Sequence, residues 1–269
     1  MRPIPTAFHL GPLELHTYGI GLALTFWFAY RYFERRLAKA GFETEWLSSL
    51  FIWVIVSALS GARVLHLLSQ FGYYSSHPSE IFAIWHGGLS SFGGLLFAVP
   101  TALFIAHRRC PSLGVLEGLD IVAPVLMAAW AIGRLLGPQM MYQGGGHQTQ
   151  QWFGMYYDGQ YGKRIPVPLI QAIEDFGTYL ILIFTERKLA SAQAARDGAK
   201  LHGAVIGLAM LIWGISRGLD ERLLLGESGH LGSLLVQGAS VGLIVGGSSL
   251  LIRFAIAWKK PEASSPASS

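Results

Sequence analysis

Seven apolar stretches, set apart by short charged segments, constrain this chain more than any other feature. They run Leu13–Tyr30, Leu47–Leu68, Leu89–Ala106, Leu119–Met141, Val167–Phe184, Gly203–Ser216 and Leu231–Ile252. Most approach the roughly 20 residues a helix needs to cross a bilayer; the sixth is the shortest. With 13% charged and 52% hydrophobic residues and a mean hydropathy of +0.42, the composition is that of a polytopic membrane protein rather than a soluble domain. The net charge of +4 is small and its basic residues are scattered, which argues against a nucleic-acid partner. The single cysteine, Cys110, excludes an internal disulfide and a cysteine-built metal site. Met1–Thr17 does not read as a cleaved signal peptide.

The basic residues orient the helices. With the N-terminus outside, 13 of the 20 Lys and Arg fall on the inside, 5 fall outside, and Arg63 and Arg134 lie within spans. The positive-inside rule then predicts an all-α integral membrane protein of seven transmembrane helices, N-out and C-in. Residues 1–259 form one transmembrane domain, and the Pro/Ser-rich tail 260–269 is expected to be disordered and cytoplasmic. The longest outer segment, Tyr142–Ile165, carries six aromatic rings and reads as a small head at the lipid–water interface.

Arg134 stands in "IGRLLGP", deep in the fourth apolar stretch, where a guanidinium is costly and rarely kept without a task. Orientation puts Arg63 and Arg134 roughly 10 Å below the outer end of their helices, and Arg217 and Arg222 leave the sixth helix on the same side. Four guanidiniums on the outer-leaflet side suit a phosphate headgroup, which a guanidinium binds in a planar, bidentate way. The alternatives are structural: Arg63 snorkelling or paired with a carboxylate, and Arg217 and Arg222 paired with Asp220 and Glu221. "HGGLSSFGGLL" sets Gly87, Gly88, Gly93 and Gly94 where they permit either close ligand approach or tight helix packing. His86 lies at the outer interface and titrates near neutrality. Tyr18 either hydrogen-bonds a headgroup or anchors its helix. Gln171, Glu174 and Asp175 sit inside the fifth span and need partners, for which an ion pair with a cavity arginine is the cheapest solution.

Most of the chain resembles the bacterial prolipoprotein diacylglyceryl transferases. The resemblance rests on "GPLELHTYGIGLAL" with Tyr18, "GARVLHLL", "YYSSHPSEIFAIWHGGLSSFGGLL", "LDIVAPVLMAAWAIGR", "WFGMYY", "RIPVPLIQAIED", "RGLDERL" and "GHLGSLLVQ", in order. It implies a seven-helix inner-membrane enzyme that moves a diacylglyceryl group from phosphatidylglycerol to the lipobox cysteine of preprolipoproteins, without cofactor or metal. It places the family's essential arginine at Arg134, beside Gly133. Phe92 stands where the family has a histidine, and Ile170 and Gln171 stand for its Tyr-Glu. Gly137 and Pro138 replace its Asn-Phe, and Leu224 falls where a second arginine is expected, with Arg222 close by. The catalytic set expected here is Arg134, with His86 and Glu221 as candidate bases. Tyr18, Arg63, Gly87, Gly88, Gly93, Gly94, Gly133, Gln171, Arg217 and Arg222 form the expected lipid site. Two other readings stay open: a non-catalytic phospholipid-binding paralogue and a small anion transporter.

Overall fold

The structure, a computed structural model, describes residues 7–10, 13–81, 91–142, 144–195, 200–225 and 230–259. It is helical apart from one antiparallel hairpin, β1 (Ala7–Leu10) with β2 (Leu13–His16), whose register sets Phe8 opposite Leu15 and His9 opposite Glu14. The helices are α1 (Thr17–Lys39), α2 (Leu47–Ser69), the short α3 (Phe71–Ser76), α4 (Ser91–Arg109), α5 (Val115–Leu136), α6 (Val167–Ala194), α7 (Ala204–Asp220) and α8 (His230–Lys259).

Every apolar stretch read from the sequence therefore carries a helix. Among the described residues, four helices are long and apolar enough to cross a membrane: Leu47–Leu68, Val115–Leu136, Val167–Ala194 and Val236–Lys259. The first stretch starts four residues later than expected, because Leu13–Glu14–Leu15–His16 alternates apolar and polar with the period of a strand. Large apolar side chains stand exposed along the helices, among them Trp27, Ile52, Phe104, Phe184 and Ile252. Such faces are stable against lipid and not against water.

Contacts divide the chain into two units, Met1–Phe33 with Leu116–Ser269, and Glu34–Val115. In the second unit α2 packs along α4, and Gly61 and Gly93 meet backbone to backbone. A Cβ on either residue would run into the carbonyl oxygen of the other. Lipid chains are as apolar as leucine, so association inside a bilayer depends on such close approach rather than on expelling water.

In the first unit Ala123 and Met127 of α5, Leu182 of α6, and Val205, Ile206 and Ala209 of α7 make a buried cluster. Trp130 stacks on Trp213 at 4.6 Å beside it. Asp120 fixes the start of α7 from α5. Its carboxylate accepts the Gly203 N–H at 2.6 Å and the Ile206 N–H at 2.8 Å, two of the donors a helix N-terminus leaves unmet. Asp120→Ala strands both, and a loss of about 2–3 kcal/mol is expected, read as a lowered melting temperature in detergent.

Residues 144–165 fold without regular elements. Met155 and Arg164 exchange main-chain hydrogen bonds, and Gln160 both accepts from and donates to the backbone of Gly145. Tyr157 is buried here, and its hydroxyl has no hydrogen-bond partner among the described residues. Burial pushes this phenol up from 10.0 to about 12. The unfolded phenol ionises first, so stability holds below pH 10 and declines as pH climbs toward 12. Tyr157→Phe should remove that alkaline decline and, by deleting an unmet hydroxyl, stabilise by about 1 kcal/mol; melting curves across pH 7–12 measure both.

Candidate active site

The sequence that ends α5 also builds the site. Gly137 precedes Pro138, a position driven to extended backbone, and its φ of −85° and ψ of 174° stop the helix. Arg134 is left in the last turn, where a cation meets the carbonyl end of the helix dipole. The turn that follows brings Gln139 back, and Arg134 Nη1 donates to Gln139 Oε1 at 2.7 Å.

Two polar stripes complete the site. On α6, Gln171, Glu174, Asp175 and Thr178 recur at the three- and four-residue spacing that keeps side chains on one face. On α7, which packs against α6, Trp213, Ser216, Arg217 and Asp220 recur in the same way. Arg134, Gln171, Glu174, Asp175, Arg217 and Asp220, with Trp213 and Ser216, line a small cavity of about 10 Å³. That is room for about one water.

The pairs are specific. Arg134 Nε faces Asp175 Oδ2 at 3.8 Å, the ion pair expected from the sequence. Gln171 Nε2 donates to Asp220 Oδ2 at 2.7 Å, and Arg217 Nη2 donates to Glu221 Oε2 at 3.3 Å. These leave buried atoms without hydrogen-bond partners among the described residues: Arg134 Nε, Arg217 Nη1, Glu174 Oε2 and Asp175 Oδ2. Two of these atoms, Arg134 Nε and Asp175 Oδ2, face each other beyond hydrogen-bond reach, so a water or a polar ligand in the cavity would find groups to bind. Of the four, two are guanidinium donors suited to an oxyanion.

The structure brings together Arg134, Gln171 and Arg217 of the residues expected from the sequence. Glu221 is buried just beyond α7 on a π-helical turn, Glu221–Leu225, and is held by Arg217 rather than lining the cavity. Arg222 on that turn is exposed and donates to Gln237 Oε1 at 3.3 Å. The turn is tied to residues 144–165 by the His147 N–H on the Leu224 carbonyl. Gly133 packs with ordinary clearance against Thr25, and Tyr18 is half-buried in the first turn of α1, outside the cavity lining.

In the other unit, Arg63 donates to the main-chain carbonyls of Ile81 and Glu80 and lies over the Tyr74 ring. The partners are main-chain carbonyls rather than the carboxylate pair or the snorkelling that the sequence left open. Gly93 faces Gly61, and a Cβ added at Gly94 would meet Ala58 and Ala62 only at ordinary van der Waals distance. His86, Gly87 and Gly88 lie outside the described residues. The sequence reading missed Gln139, Trp213, Ser216 and the place of Asp220 in the site. The helical spacing from Trp213 to Asp220 was the signal available for three of them.

The family model described as prolipoprotein diacylglyceryl transferase matches residues 5–255. A phosphatidylglycerol–prolipoprotein diacylglyceryl transferase of Bacillus licheniformis is 34% identical over 199 residues, covering 68% of this chain and 70% of that protein. Its counterpart in Staphylococcus aureus strain Newman is 31% identical over 197 residues, 69% of each. With a match of this extent, and an arginine-centred cavity among apolar helices, the chain belongs to the prolipoprotein diacylglyceryl transferase family.

Proposed function

We propose that the protein transfers the diacylglyceryl group of phosphatidylglycerol to the lipobox cysteine thiol of preprolipoproteins, working from the outer leaflet of the bacterial inner membrane. The observation that carries this reading is the two guanidiniums, Arg134 and Arg217, on one cavity in a chain of this family, with Arg217 Nη1 buried and unmet among the described residues. A phosphate ester is the leaving group, and donors already aimed at it stabilise the charge it gains in the transition state. The sulfur attacks the glyceryl carbon, the carbon–oxygen bond to phosphate breaks, and its electron pair leaves with glycerol phosphate. The thiol proton departs through a base and ends on that phosphate. The nucleophile belongs to the acceptor, so the chain needs no cysteine of its own there; its one cysteine, Cys110, lies just past α4 beside Ser112.

Seven spans with the N-terminus outside and the C-terminus inside are supported by seven long helices and by the 13-to-5 distribution of basic residues. That orientation sets Arg134 and residues 144–165 on the outer side. Trp152, 89% exposed, and Tyr161, 87% exposed, then suit a headgroup layer.

Purified protein in detergent, given phosphatidylglycerol and a lipobox peptide, should yield the thioether-linked peptide by mass spectrometry. Thermal stabilisation that depends on the headgroup, without any product, would instead identify a lipid-binding paralogue.

A further inference from the structure

The reaction needs a group that takes the thiol proton, and the described part of the site contains no histidine side chain at the cavity. We propose that Glu174 is the proton acceptor for the attacking cysteine, a role that rests on the transfer reaction proposed above.

Four carboxylates stand in or beside the cavity, and three are engaged. Asp220 Oδ2 accepts from Gln171 at 2.7 Å, Glu221 Oε2 accepts from Arg217 at 3.3 Å, and Asp175 Oδ2 faces Arg134 Nε at 3.8 Å. Each of these already has a donor or a cation at one oxygen. Glu174 Oε2 is buried, lines the same cavity and has no hydrogen-bond partner among the described residues. It also stands one helical turn from Gln171 and next to Asp175, on the face of α6 that looks at the arginines.

The geometry suits a displacement. Sulfur and leaving oxygen lie on opposite sides of the carbon, so base and phosphate site must be neighbours and not the same group. Arg134 and Arg217 supply the phosphate side, and Glu174 the neighbouring acceptor. As the carbon–sulfur bond forms, the S–H proton passes to Glu174 while the carbon–oxygen electron pair leaves with the phosphate. Glu174 then returns that proton to glycerol phosphate and is ready for the next turnover. The residue is catalytic in the strict sense, since it touches the reacting sulfur, and the acceptor it serves is a peptide thiol presented at the membrane.

The test compares wild type with E174Q in the transfer assay from pH 6 to 9, alongside thermal shift with phosphatidylglycerol. E174Q should lose about 100-fold or more in kcat/KM at pH 7 while keeping the lipid-dependent shift. The deficit should narrow as pH approaches the thiol's own ionisation near ~8.5, where no base is needed. A purely structural role would lower the rate by one factor at all pH values. Activity within threefold of wild type at pH 7, or a deficit that stays constant with pH, overturns the assignment. If E174Q does not fold, E174A is assayed with added formate: a rate that rises with formate supports the role, and no rise overturns it. A wild type without turnover refutes the transfer reaction itself, whereas an active wild type with an unimpaired variant refutes Glu174 alone.

Discussion

Arg134→Ala is expected to lower transfer to a lipobox peptide by about 100- to 1000-fold, the cost of deleting one preorganised donor to a developing oxyanion. The same change threatens the fold, because it leaves Asp175 buried without its cation; breaking a buried pair from one side costs about 3–5 kcal/mol. The two effects separate in the double variant R134A/D175N, in which Asp175 is no longer a charge left without its cation. Its melting temperature should recover most of what R134A loses, and its turnover should not recover at all. R134K is the second control. An ammonium keeps the charge but cannot hold Gln139 Oε1, Asp175 and a phosphate in one plane, so a loss of 10-fold or more in kcat is expected with a near-native melting temperature. A double variant that regains activity along with stability would show that Arg134 serves only to neutralise Asp175.

Much of this site was legible before any coordinates. A guanidinium in an apolar stretch has to find polar company, and the two carboxylates in the fifth stretch were the nearest candidates; Arg134 and Asp175 do pair. The helical character of the chain was legible because long apolar runs leave the backbone only one way to satisfy itself in lipid, and four of the helices are long and apolar enough to cross one. What could not be read was which polar group meets which. The Gln171–Asp220 bond joins residues 49 positions apart, and nothing in either local segment points to the other. Gln139 was hidden for a different reason. It lies beyond the Gly-Pro stop, and only the extended Gly137 turns it back to Arg134. The two carbonyls that Arg63 holds were equally hidden, since a buried arginine reads the same whether it awaits a phosphate or bonds main chain of its own. The opening strand is implied by the family resemblance of the segment around Tyr18, but the first apolar stretch drawn from Leu13 runs through it, since four residues of alternation are easily absorbed into an adjoining apolar run.

Gly93→Leu should be strongly destabilising although it lies outside the cavity, and it decides between the two meanings its glycine had in the sequence. If Gly93 is there for a lipid, a side chain would raise KM and leave the fold alone. The structure instead turns it toward α2, where an added Cβ meets the Gly61 carbonyl oxygen and the Leu65 Cβ at once. Neither can retreat easily, for the first is main chain inside a helix and the second is fixed by its own backbone. The two helices would have to separate, and close backbone packing of this kind is what joins helices where no water is expelled. A destabilisation of about 3 kcal/mol or more is expected, at the upper end of overpacking costs because the colliding atoms are backbone rather than flexible side-chain ends. Gly93→Ala should show a smaller drop of the same sign, and Gly94→Ala, whose Cβ would sit 3.5 Å from the Ala58 carbonyl oxygen, almost none. Melting in detergent, followed by KM for phosphatidylglycerol on whatever remains folded, reads all three. A series ordered by steric collision, with KM unchanged, makes Gly93 a packing residue; a raised KM with native melting would return it to the lipid site.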